Sequence, residues 1–117
     1  MADSSQTDWQ PRLGEQVILS GTHYDIAKAK EIIKAATRPV EMRPLGQFKG
    51  MYYEAVKIDW DKAEKTDITI PAIVATEEGG TPVLIDGWHR YAKCLRTRQT
   101  EIPAVVLTEE ETKKVRR

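Results

Sequence analysis

The chain has 117 residues and a mass of 13.3 kDa, the size of one domain with a core of its own. Its 18 basic side chains balance 18 acidic ones, eight of each in residues 1–60 and ten of each in 61–117, so net charge alone draws no polyanion to it. No apolar run reaches the roughly 20 residues of a membrane span, the start MADSSQTDWQ lacks the pattern of a signal peptide, and one cysteine with two histidines makes neither an internal disulfide nor a standard structural zinc site. These features lead us to expect a cytoplasmic protein with no membrane partner and no metal ligand set.

Residues 1–13 are polar and carry Pro11, which predicts a flexible arm with Trp9 as a loose anchor or a partner contact. Residues 16–19, QVIL, read as a short strand and SGTHYD as a turn. A helix follows over 25–38, capped by Asp25 or Thr22. Ile26, Ala29, Ile33 and Ala36 form its apolar stripe, and Lys28, Lys30, Glu31 and Lys34 take the other face. Pro39 is the expected stop. Val40–Met42 read as a strand, then comes a loop, and Tyr53–Trp60 alternate as a strand. DKAEKTD reads as a connector or a single helical turn.

The second half is patterned more sharply. Residues 68–76 are β-branched and apolar, with Pro71 expected at a strand start or an edge. EEGG is a turn, TPVLID (81–86) a strand, and WHRYAKCLRTR (88–98) a helix. Trp88, Tyr91, Ala92 and Leu95 fall at i, i+3, i+4 and i+7, which points them at the core. IPAVVL (102–107) is a strand. Thr108–Glu111 reads as a capping box opening a short exposed helix with Glu109–Lys113 and Glu110–Lys114 pairs. The predicted order is β-α-β-β-β-β-α-β-α, an α+β (mixed α/β) single domain with a small mixed sheet flanked by helices. Residues 14–110 form the domain and 111–117 a basic tail.

Chemistry concentrates in Asp86-Gly87-Trp88-His89-Arg90. A strand ends, a glycine turns the chain, and a helix begins. The first N–H groups of a helix have no partner inside it, and its dipole favours an anion there. Gly87 permits close approach to the backbone. Arg90 offers a planar fork suited to phosphate, and His89 a donor or an acid–base group. Asp86 is placed to cap the helix, orient Arg90 or hold a metal. A common Asp-Gly turn followed by surface cations explains the same letters. Cations are nevertheless the wrong sign for a helix start unless an anion belongs there.

These residues also carry a resemblance. IPAIVAT, PVLIDGWHRYAKCLRTR and EIPAVVL together resemble the ParB/sulfiredoxin-like superfamily, most closely its small ParB-like nuclease-domain proteins. Asp86, Gly87, His89, Arg90 and Ala92 match the helix-start motif, and Ile102, Pro103 and Val106 the strand after it. The resemblance covers about residues 54–110. It implies a site in which Gly87, Trp88, His89 and Arg90 hold nucleotide phosphates, with ATP or CTP and Mg²⁺ as cofactors. His89, Asp86 and an upstream acid such as Glu54 would be the catalytic groups. Two departures narrow it. Trp88 stands where sulfiredoxins carry their reactive cysteine, so Cys94 is expected to be a buried or half-buried structural residue. The chain reaches only Arg117, so the helix-turn-helix domain of partition ParB proteins is not expected.

Three partners remain open at this point. The first is a nucleotide, bound and then hydrolysed or used for phosphate transfer. The second is DNA, gripped by the same motif with Arg96, Arg98, Lys113 and Lys114, as in a nuclease or DNA-binding protein of a plasmid or phage. The third is a protein, with the fold serving as an interaction module or inhibitor and Trp9 and Trp60 as contacts. Solvated surface is the plain account of the basic residues, as it is of Glu54, Asp59 and Asp61.

Overall fold

The computed structural model describes the backbone of residues 16–19 and residues 22–49 and 60–116. The expected arm at 1–13, Glu54, Asp59 and the strand expected from Tyr53 lie outside the described residues, except for Trp60, which opens a helix instead.

Gln16–Leu19 form β1, as expected. Residues 22–25, expected in a turn, form β2 and pair antiparallel with β1, Val17 opposite Tyr24. THYD carries no apolar alternation, so its pairing is decided by the hairpin and by Tyr24, which is 2% exposed. The Tyr24 hydroxyl donates to the Glu77 carboxylate, and Arg116 Nη1 stands 3.4 Å from the same carboxylate. Burial, with the bond to Glu77, pushes the phenol pKa far above its ordinary range.

Helix α1 spans Ile26–Ala35, and Asp25 is its cap, accepting from Lys28 N–H at 3.0 Å. It ends three residues earlier than the composition suggests, because Ala36 is already extended (φ −143°). Ile26 and Ala29 are buried as the stripe requires, but Ala36 is exposed. Lys30, expected on the solvent face, is 3% exposed. Its long aliphatic stem lets such a side chain cover apolar surface.

Four strands make the main sheet: β3 (Glu41–Pro44), β4 (Ala72–Thr76), β5 (Pro82–Asp86) and β6 (Glu101–Val106), in the order β3-β6-β4-β5. β6 is antiparallel to β3 and parallel to β4, and β5 is antiparallel to β4. Pro71 directly precedes β4, where its missing N–H costs no ladder bond. Gly79 and Gly80 turn the β4–β5 hairpin with φ of 82° and 85°. Central positions such as Ile73, Val74, Leu84 and Ala104 are buried without exposure.

Helix α2 (Trp60–Lys65) and helix α3 (Trp88–Arg96) pack together, and helix α4 (Glu109–Val115) closes the chain. The Tyr91 ring sits at the centre of the α3 contact, edge-on to Trp88 at 5.2 Å and to Phe48 at 6.4 Å. Its hydroxyl donates to Leu45 O at 2.6 Å, so a buried polar atom is satisfied.

The C-terminal segment is part of the body, not an exposed basic tail. The Thr108–Glu111 capping box forms with both bonds. Val115 is fully buried, and the Thr112 hydroxyl accepts from Thr76 N–H at 2.9 Å. Arg38 donates to both oxygens of Glu111, at 2.6 and 2.9 Å, tying the chain after α1 to α4. That guanidinium holds the Glu111 carboxyl below its ordinary pKa. The expected i,i+4 pairs on α4 give way to Glu110–Lys113 at 3.9 Å, an i,i+3 pair. The result is a small α+β domain whose mixed sheet is flanked by helices.

Candidate functional site at the start of α3

β5 delivers Asp86 to the end of a buried strand, and Gly87 turns the chain with φ 104° and ψ 21°. Only glycine enters that region freely. Space makes a second demand. A Cβ on Gly87 would stand 2.8 Å from Ala72 Cβ and 3.1 Å from Arg90 Nη2. The turn therefore lies pressed between the start of β4 and the Arg90 guanidinium.

Gly87 is also the N-cap of α3, and having no side chain it makes no cap bond. The first bond inside the helix is Tyr91 N–H to Gly87 O at 2.9 Å, so the N–H groups of Trp88, His89 and Arg90 take none from within it. No acid stands in the first turn. Trp88 is 7% exposed, with its ring against Tyr91, so it serves the core as well as the turn. His89 is half-buried.

Arg90 is the unusual member. It is 7% exposed, and its Nε is buried with no hydrogen-bond partner. Asp86 Oδ2 lies 3.6 Å from its Nη2, an ion-pair distance longer than a good charge-assisted bond. Burial pulls the guanidinium pKa down, opposed by Asp86 and then by Asp67. Arg90 nevertheless stays charged, as arginine does in proteins. A buried cation with one loose counter-ion and one unpaired donor is the electrostatic centre of the site.

The wall on one side is the turn after α2. Asp67 Oδ1 accepts from Thr69 N–H at 2.9 Å and from its hydroxyl at 2.6 Å. Those bonds, with weaker help from Lys93 and Arg90, hold the Asp67 carboxyl below its ordinary range. Lys93 donates to the carbonyls of Glu64 (2.9 Å) and Thr66 (2.8 Å), stopping the C-terminal end of α2 with a cation, the favourable sign. Sequence reading missed Asp67 and Lys93 as neighbours of the site. Their partners are backbone atoms and a turn about 25 residues upstream, which no local pattern in α3 announces.

The remaining sequence candidates are dispersed. Arg96 reaches Glu64 at 3.5 Å, and its guanidinium lies 5.1 Å from the Trp60 ring centroid. Arg98 has φ 63° just past α3. Lys113 and Lys114 are exposed on α4, the helix that packs against α1 and β4. Cys94 is 1% exposed, and burial raises its thiol pKa, which suits a packing residue and not a nucleophile. Among the described residues no group of three or more His, Cys, Asp or Glu gathers to hold a metal, and no helix is long and apolar enough to cross a membrane.

The chain matches no protein-family model, and no curated protein is significantly similar to it. Function therefore has to be argued from the site.

Proposed function

We propose that this protein binds a phosphate-bearing small molecule, a nucleotide such as ATP or CTP, at the first turn of α3. The observation that carries this reading is Arg90: a buried guanidinium with an unpaired Nε beneath a helix start that has no side-chain cap and no acid. The helix start supplies N–H groups and a positive dipole, Gly87 supplies close approach, and Arg90 supplies a planar fork. His89 is the acid–base candidate should the phosphate be hydrolysed or transferred. Asp86 is the carboxylate that pairs with Arg90 at the turn. A Mg²⁺ ion would arrive on the ligand's phosphates and take Asp86 as its protein contact, which is how Mg²⁺ usually binds. The resemblance to the ParB/sulfiredoxin-like superfamily points to the same turn.

DNA is the less supported ligand. Of the four cations expected to grip it, Arg96 and Lys113 each face an acidic partner, at 3.5 and 3.9 Å, which weakens their pull on a phosphate backbone.

Calorimetric titration with ATP, CTP, GTP and ADP, with and without Mg²⁺, tests the proposal. Saturable binding should fall at least tenfold in Arg90→Lys, which keeps the charge and loses the fork. Asp86→Asn separates the two roles of the carboxylate. It should tighten metal-free nucleotide, by removing a competitor for Arg90, and abolish any gain from Mg²⁺. No binding of any nucleotide by the folded protein overturns the reading.

A further inference from the structure

Among the described residues β3 lies at the edge of the sheet, and its chemistry is unusual for an edge. Val40 and Met42 are 52% and 54% exposed, and with Trp60 they are the large exposed hydrophobics among the described residues. They alternate along one face of Val40–Pro44, while Glu41 and Arg43 take the other face and pair at 3.0 Å.

The prolines fix which backbone groups the edge presents. Met42 is opposite Pro103, and Pro44 opposite Glu101. Proline has no N–H, so neither position can exchange two bonds across the ladder. The bonded positions must be 41, 43 and 45, and Leu45 N–H does donate to Thr100 O at 3.0 Å. The N–H and C=O of Met42 therefore point away from β6, toward an edge on which no strand lies among the described residues.

We propose that this edge pairs with the same edge of a second copy, antiparallel and centred on Met42. The sequence is self-complementary about that residue. A two-fold pairing sets Met42 opposite Met42, exchanging two backbone bonds, and Glu41 of each copy opposite Arg43 of the other, so each charge gains an opposite partner across the strand. Val40 stands opposite Pro44 and donates to its carbonyl. Pro44 then ends the ladder, and the pairing closes as a dimer without growing into a longer sheet. Two apolar side chains per copy and four backbone bonds make a small contact, below the roughly 1,000 Å² of a stable interface, so the dimer is weak and concentration-dependent.

Sedimentation equilibrium of the full chain from micromolar to millimolar concentration reads it. Wild type should rise from 13.3 kDa toward twice that mass. Glu41→Arg and Arg43→Glu should each weaken self-association at least tenfold, since each sets like charges opposite one another. An equimolar mixture of the two should restore it as a heterodimer. That rescue cannot come from a folding defect in either variant. Met42→Lys, at a side chain 54% exposed and a backbone N–H turned away from β6, should stay monomeric while its circular dichroism spectrum shows the wild-type fold. A wild-type mass fixed at 13.3 kDa up to millimolar concentration overturns the proposal. So does association that survives both charge reversals and Met42→Lys.

Discussion

Helices α3 and α4 each begin directly beyond a strand of the same sheet, and they are finished in opposite ways. At α4, Thr108 and Glu111 exchange two bonds, and Glu109, Glu110 and Glu111 meet the dipole with the favourable charge. At α3 the cap is a glycine with no side chain, the first turn holds His89 and Arg90, and the nearest carboxylate, Asp86, belongs to the strand. At the start of α4 the cap is made reciprocally from within the chain, and Glu111 also meets Arg38. At the start of α3 a buried cation is answered only in part. A ligand can gain binding energy where the protein has left its own groups unsatisfied, and α3 offers such a place where α4 does not.

Substitutions should bring out that contrast. The largest loss is expected from Gly87→Ala, which combines a left-handed backbone with a Cβ 2.8 Å from Ala72. It should cost about 3 kcal/mol or more in chemical denaturation, and a fall below 1 kcal/mol would mean the turn is not tightly packed. Asp86→Asn comes next, at about 2–3 kcal/mol, because it leaves the Arg90 charge buried without its counter-ion. Saturating nucleotide should return much of that loss if the phosphate takes the place of Asp86.

At the closed start the effects are smaller. Glu111→Gln should cost about 1–2 kcal/mol, since it breaks a partly buried bidentate pair with Arg38. The penalty should also depend on pH. The folded Glu111 carboxyl is held below its ordinary value of 4.5. Its stabilisation is then complete above that value and disappears as pH falls through the lower folded one. Wild type and Glu111→Gln should therefore converge in stability in acid, and a gap that persists there would place the effect in packing. Thr108→Ala should cost about 1 kcal/mol, the worth of an N-cap.

Arg98→Gly is expected to change stability least, and in the opposite direction. Gln99 N–H bonds Cys94 O at 2.9 Å and Arg98 N–H bonds Leu95 O at 3.2 Å, which is the Schellman ending of α3 with arginine in the left-handed position. Glycine there should raise stability by about 0.5–1 kcal/mol in a thermal melt.

Local chemistry made much of this legible. The Pro71–β4 boundary, the Gly-Gly hairpin, the glycine before α3 and the Thr108 box all follow from residues within a few positions of one another, and each is found where the sequence places it. Reading failed where the partner is distant. THYD looks like a turn until Tyr24 meets Glu77, 53 residues on. The run of charges in α4 hides the spacing of Thr112 and Val115, which bury the helix. The cationic face of α3 looks free until Lys93 and Arg96 meet α2. Even the candidate site was half visible: the Asp-Gly-Trp-His-Arg string marks the turn, but burial of Arg90 and the approach of Asp67 are tertiary facts.

The place of β6 in the sheet sets an order of assembly. It is the last described strand to be synthesised, yet it lies inside the sheet and is the only strand between β3 and β4. The β4–β5 hairpin can zip as soon as it leaves the ribosome. β3 has to wait, because the first of its partners to be made, Glu101 opposite Pro44, comes 57 residues later. The parallel ladder of Ala72 with Ala104 likewise needs the whole intervening stretch to fold back. Until then β3 lacks β6, with Val40 and Met42 alongside. The nascent chain is thus most prone to association just before its final strand arrives, and a pause in translation before residue 101 would lengthen that interval.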